Sequence, residues 1–202
     1  MKRSMPDSRV WRLQTPLESE DVIEKMKIND VVYLTGTIYT ARDLAHLRIK
    51  KLLDENQSIP FNLKNSCIYH AGPIALQTKH GWAIDVLGPT TSMRMEPYIE
   101  MIGKLGVKII VGKGGMSDKV LDIMKTYKMV YLNAPPGCGV IGSKFIVKVQ
   151  NVYWPDLGMP EAVWELVVKD WGPLIVAIDS HKNNLFSIIK QQAYERLHQL
   201  YP

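Results

Sequence analysis

Two arginines and a lysine stand where a small anion would be gripped: Arg42, Arg94 and Lys113 each follow an apolar run and precede a helical pattern. A guanidinium offers a planar fork that matches a carboxylate, and an ammonium offers a compact charge. Arg94 lies in Gly88-Pro89-Thr90-Thr91-Ser92-Met93-Arg94-Met95-Glu96, ahead of helical positions at Met95, Tyr98, Ile99, Ile102 and Leu105. Helix N-termini leave N–H groups unpartnered and partly positive, so such a strand-to-helix turn suits an anion. The same residues also read as a plain helix start, with Thr91 or Ser92 as cap and Arg94 in solvent. Pro97 blurs where that helix begins.

Arg42 repeats the theme. Thr40-Ala41-Arg42-Asp43 has the spacing of a capping box with Asp43 in the Glu position, which places Arg42 in a first helical turn. On this reading Asp43 caps the helix and His46 sits on its surface. Lys113 stands in Gly112-Lys113-Gly114-Gly115-Met116-Ser117, where glycines let the backbone approach a ligand. No Ser or Thr follows the lysine directly, so the magnesium-binding phosphate loop is not formed. A carboxylate ligand fits better.

The elements that must position these groups follow from periodicity. Strands are expected at 10–14, 31–38, 67–70, 82–87, 107–111, 129–132, 144–149 and 174–178, with Gly36 marking a bulge or a close backbone approach. Helices are expected at 17–26, from 40 to about 53, after Met95, around 120–124, at 161–168 and from 182 to about 200. Residues 54–65 read as a loop, Ala71-Gly72-Pro73 as a turn in a pocket wall, and His70 and His80 as structural. Asp179-Ser180-His181 ends a strand, a place where α/β sites gather. The alternation gives one α/β domain over 10–202 behind a flexible tail at 1–9.

Composition narrows the function. The chain has 202 residues, 46% hydrophobic and 22% charged, and a net charge of +5 without a basic block. That argues against disorder and against nucleic acid as the main partner, and leaves room for a small anionic substrate. No signal peptide or long apolar segment is visible, which implies a cytoplasmic protein that does not enter a membrane. Cys67 and Cys138 alone cannot hold a metal cluster. Gly137-Cys138-Gly139-Val140-Ile141-Gly142 matches the dinucleotide fingerprint, yet a strand-like pattern follows it where a helix must open. Cys138 is expected to be a buried, inert thiol.

The turn at 88–95, Thr-Ala-Arg-Asp-Leu-Ala-His at 40–46, Ala-Gly-Pro at 71–73, Gly-Lys-Gly-Gly-Met at 112–116 and Asp-Ser-His at 179–181 together resemble the β-subunits of iron–sulfur fumarate hydratases and tartrate dehydratases. The resemblance runs in order from Trp11 to about Leu185; the 137–142 segment departs from the family's alanine-rich pattern. It implies the swivelling β/β/α fold. It implies that Arg42 and Arg94 bind substrate carboxylates, that Lys113 binds substrate or stabilises charge, and that Thr90 is the base, with Thr91 as substitute. It further implies a [4Fe–4S] cluster held by a larger α-subunit, hence a hetero-oligomer active only with that partner. Fumarate hydration is the expected reaction; L-tartrate dehydration, or a non-catalytic dinucleotide- or anion-binding regulatory module, are the alternatives.

Overall fold

A computed structural model describes residues 8–79 and 81–200, so most of the expected tail and His80 lie outside the described residues. In chain order the elements are β1 (Val10–Thr15), α1 (Asp21–Lys25), β2 (Val31–Thr40), α2 (Asp43–Asp54), β3 (Cys67–Tyr69), β4 (Ala71–Thr78) and β5 (Gly81–Pro89). A 3₁₀ turn at Ser92–Tyr98 leads into α3 (Ile99–Lys104) and β6 (Ile109–Gly112), and another at Asp118–Val120 into α4 (Leu121–Thr126). Then come β7 (Val130–Asn133), α5 (Gly139–Ser143), β8 (Ile146–Tyr153), β9 (Val163–Ile178) and α6 (Leu185–Leu200).

Successive strand residues face opposite sides of a sheet, and here both sides are apolar. Cys67, Tyr69, Ile109, Val111, Val130 and Leu132 turn one way into a buried cluster with Leu34, Trp164 and Leu166. Their alternates Ile68, Ile110 and Tyr131 turn the other way onto Ala45, Ile49, Ile99, Ile102 and Met124 from the helices. The reason is ring closure. β2 pairs in parallel with β1 from Val31 to Gly36 and with β3 at Tyr39 and Thr40, and in antiparallel with β9. β3, β6 and β7 continue in parallel, and β7 meets β9 again, so β2, β3, β6, β7 and β9 enclose one core while helices cover the outside. This is the α/β class expected, in the β/β/α layering that the resemblance implies. Among the described residues no helix is long and apolar enough to cross a membrane.

Burying one Leu, Ile or Val side chain is worth roughly 1.5–3 kcal/mol, whereas an exposed ion pair gives roughly 0–1. The two cores, not surface charge, therefore fix where the strand ends point. Gly36 behaves as its position in the sequence predicts: its φ is +114°, a Cβ there would lie 2.1 Å from the Thr15 carbonyl oxygen, and the β2–β9 register shifts beside it.

Several elements differ from the sequence reading. Residues 161–168 do not form a helix; from Val163 they are the first half of β9, a 16-residue strand. Val163 packs under the helices, while Trp164, Leu166 and Val168 line the barrel. Glu165 between them is buried, accepting hydrogen bonds from Asn151 at 2.7 Å and from the Tyr153 hydroxyl at 2.8 Å. A helix cannot serve two cores on opposite sides of one segment, and the β-branched content settles the strand. Ala71-Gly72-Pro73 opens β4 instead of turning, the helix at 17–26 shrinks to α1, and a five-residue helix, α5, forms at 139–143 before the expected strand. The tail reading meets structure at Arg9, whose amide donates to Asp30 Oδ1 at 3.1 Å.

Candidate functional site

The C-terminal ends of β2, β3, β5 and β6 meet the start of β9 at one end of the barrel. His70 follows β3, and its carbonyl accepts the Thr90 N–H at 2.7 Å. The Thr90 carbonyl accepts the Lys113 N–H at 3.2 Å, and the Lys113 carbonyl accepts the Ser92 N–H at 3.2 Å. Thr91 and Lys113 are thus paired like ladder residues of a sheet, with Thr90 next to them in the chain. Gly112 is required for this closeness, because a Cβ there would stand 1.8 Å from Ser92 Oγ. These bonds also correct the sequence reading: the Thr90 and Ser92 amides are used by the barrel and are not free for an anion. Neither Thr91 nor Ser92 caps through its side chain, and the segment enters a 3₁₀ turn with Pro97 inside it.

The side chains bring the expected residues together. Arg94 Nε donates to Asp43 Oδ1 at 3.1 Å and Nη2 to Asp43 Oδ2 at 2.9 Å, while Nη2 also donates to Thr90 Oγ1 at 3.0 Å. The hydrogen bonds from Arg94 hold the Asp43 carboxyl below its usual range. Arg42 Nε lies 3.1 Å from Glu161 Oε1, an ion pair whose angle does not make a hydrogen bond, and its Nη1 sits over Gly72, where a Cβ would come within 2.9 Å. Glu161 Oε2 accepts the Leu44 N–H at 2.9 Å, so this carboxylate occupies the start of α2 and steers Arg42 at once. The Lys113 ammonium has no hydrogen-bond or ion-pair partner among the described residues.

Three sequence expectations fail here for identifiable reasons. The capping box does not form: Arg42 is the N-cap residue without a side-chain bond, and the Thr40 hydroxyl instead accepts the Trp164 N–H at 3.0 Å. Asp43 is drawn away from capping by the Arg94 fork. His46 is not on the surface but fully buried, because α2 turns that face onto the barrel end. Its Nδ1 lies 2.7 Å from the Arg42 carbonyl, and burial lowers its pKa to about 4. His70, also fully buried, has Nδ1 2.9 Å from Ser92 Oγ and a pKa pushed well down by burial. The contributions of Asp43, Glu161, His46, His70 and Ser92 were missed; the four-residue spacing of Arg42 and His46 was the available signal for one of them.

Two other motifs do not join this site. Asp179-Ser180-His181 lies at the opposite end, since β9 runs antiparallel to β2 and β7; Asp179 there accepts the N–H groups of Ile28, His181 and Asn183. In the fingerprint-like segment, a Cβ on Gly139 would stand 2.6 Å from Val86 Cγ1 and one on Gly142 2.4 Å from the Leu87 carbonyl oxygen. Those glycines let α5 rest on β5. Cys138 is half-buried rather than buried, facing an apolar cavity of about 200 Å³ with Tyr69, Leu87, Phe145 and Trp171.

The geometry can therefore hold carboxylates with two oriented guanidinium groups and one ammonium, beside a threonine oxygen that already accepts an N–H from a cation. Comparison with known proteins gives the family. A family model described as the fumarase C-terminus matches residues 2–189. The putative L(+)-tartrate dehydratase subunit beta of Methanocaldococcus jannaschii is 48% identical over 180 residues, covering 88% of this chain and 92% of that one. The L(+)-tartrate dehydratase subunit beta of Escherichia coli K12 is 41% identical over 185 residues, covering 91% and 90%. The putative fumarate hydratase class I of Geobacillus stearothermophilus is 40% identical over 195 residues, covering 96% of this chain and 37% of that longer protein.

Proposed function

The chain belongs to the fumarase C-terminus family, and on that premise we propose that it is the β-subunit of a cytoplasmic hydro-lyase acting on a four-carbon dicarboxylate. The observation that carries the proposal is the Arg94 N–H bonded to Thr90 Oγ1 on the turn whose backbone is bonded to that of Lys113, with Asp43 of the Arg42 turn held in the same guanidinium fork. Reversible hydration of fumarate to malate is the first reading. L-tartrate dehydration is the second, favoured by the two relatives of matching length that carry that name.

Moving water on or off such a substrate needs both carboxylates held, a proton taken from or returned to the carbon beside one of them, and a Lewis acid on the hydroxyl. Arg42, aimed by Glu161, and Arg94, aimed by Asp43, hold the carboxylates in this proposal. Lys113 and Arg42 stabilise the enolate-like charge that develops when the proton leaves. Thr90 Oγ1 takes that proton. A threonine hydroxyl is a poor base unaided, and the Arg94 N–H on its oxygen favours the alkoxide it needs.

A [4Fe–4S] cluster would supply the Lewis acid, and this chain does not fit one. Cys67 is sealed inside the barrel with its thiol pKa pushed up by burial, Cys138 stands alone, and among the described residues no three His, Cys, Asp or Glu side chains converge. The proposal assigns the cluster to a partner α-subunit closing over the arginine face.

Anaerobic co-expression with an α-subunit, followed by assay on fumarate, malate and both tartrates, tests this. Activity is expected from the pair alone, and the isolated chain incubated with iron and sulfide is expected to show no stable iron–sulfur absorption band. A stoichiometric cluster on the isolated chain, or no activity of the pair on any of the four acids, overturns the proposal.

A further inference from the structure

Two imidazoles lie fully buried beneath the arginine turns, and each has an Nε2 without a hydrogen-bond partner. An unpartnered buried polar atom is unfavourable, so an apolar side chain would be the ordinary occupant of either position. What the rings do with Nδ1 explains them. The Arg42 carbonyl, 2.7 Å from His46 Nδ1, can only accept, so Nδ1 carries the proton and Nε2 is bare. That bond holds the residue from which the Arg42 guanidinium departs. The Tyr131 hydroxyl donates to the Gly114 carbonyl at 2.7 Å, which ties the glycine loop to β7. His70 Nε2 has no partner, so a proton there would be a stranded buried donor; carried on Nδ1 instead, it is donated to Ser92 Oγ, 2.9 Å away.

The rings also touch one another. His46 and His70 meet edge to face with centroids 5.5 Å apart, and His46 stacks on Tyr98 at 5.4 Å. One buried column thus joins the Arg42 turn, the Thr90–Arg94 turn and the glycine loop that carries Lys113. Asparagine supplies the donor without the ring, and phenylalanine the ring without the donor; an imidazole is the side chain that does both.

We propose that His46 and His70 are positioning residues, neutral Nδ1–H imidazoles that lock the two arginine turns together and so set the affinity for substrate carboxylates. The kinetic half of this rests on the dicarboxylate reading; the lock itself does not.

Two readouts test it. In the full chain with ¹⁵N-labelled histidine, both rings should show a protonated Nδ1 and a bare Nε2, the reverse of the form that free histidine favours. His70→Phe should speed amide exchange at Thr90 and Ser92 by about tenfold or more while Val130 and Leu132 stay protected. In the two-chain enzyme, His46→Phe and His70→Phe should raise KM about tenfold, with kcat falling less than KM rises, and His70→Asn should recover most of the loss. An Nε2–H form at either residue, exchange raised equally across the barrel, or unchanged KM in both Phe variants overturns the proposal. If tautomers and exchange behave as stated while no four-carbon acid is turned over, the lock stands and the substrate reading falls.

Discussion

The two ends of the barrel are both rich in charge, and they spend it differently. At the end away from the arginines, Asp30 accepts the Arg9 N–H, the Lys27 N–H and the Trp11 indole N–H, and Asp179 accepts three backbone N–H groups and the Asn183 amide. Those carboxylates are saturated and tie loops to strands. At the other end Asp43 and Glu161 aim the arginines, yet among the described residues Lys113 Nζ and Arg94 Nη1 donate to nothing. A polar cluster whose donors and acceptors balance is a fastening; one left with surplus donors around an aimed hydroxyl is prepared for an anion.

The largest effect should come from the surplus end. In the two-chain enzyme Thr90→Ala should lower kcat by roughly 10²–10⁴ with little change in KM, the scale of losing a positioned base. Full turnover by this variant would reduce the arginine end to another fastening. Acid should then separate the two ends. His46 has a folded pKa lowered to about 4. Its unfolded value is near 6.5, so the folded state stays neutral where the unfolded chain takes up a proton. Stability is fully present above pH ~6.5 and falls as pH drops towards ~4, by about 3 kcal/mol for this residue, with His70 acting in the same direction. Urea midpoints taken across that range should fall, and fall less in His46→Phe; a flat profile would place the acid-sensitive groups elsewhere.

Asp30→Ala at the saturated end should cost roughly 1–3 kcal/mol in denaturant unfolding, since it strands the part-buried N–H groups of Arg9, Trp11 and Lys27, and leave KM unchanged. A shift in KM would show that the ends are coupled. Smallest of all is the response to nucleotides. The glycines of 137–142 seat α5 against β5, and a five-residue helix offers little dipole, so calorimetry should find NAD binding no tighter than about millimolar. Micromolar binding would add a second prepared site.

The cations were legible in the sequence and the groups that aim them were not, for a physical reason. A strand end, a glycine and a charged residue are neighbours in the chain, so Arg42, Arg94 and Lys113 announce themselves locally. Asp43 meets Arg94 across 51 positions and Glu161 meets the Leu44 N–H across 117, distances that periodicity does not span. Glu161 was doubly hidden, because the apolar run after it serves two cores and reads equally as helix or strand. His46 was misplaced on the surface since its spacing from Arg42 says which face it shares and not what covers that face. Gly36 succeeded because its constraint is its own backbone.

β9 carries a further consequence, concerning the order in which the chain acquires its shape. Ring closure joins β2, which begins at Val31, to a strand that ends at Ile178, and β9 is the last strand to leave the ribosome. Until it arrives, β2 and β7 each present an open edge, and pairing across so long a separation is slow. The nascent chain is therefore at its most aggregation-prone just before β9 emerges, and Glu161, at the threshold of that strand, is delivered to Arg42 only in the closing step. No ligand can be gripped by Arg42 and Arg94 together before β9 has paired, because the arginine face does not exist until the ring is shut.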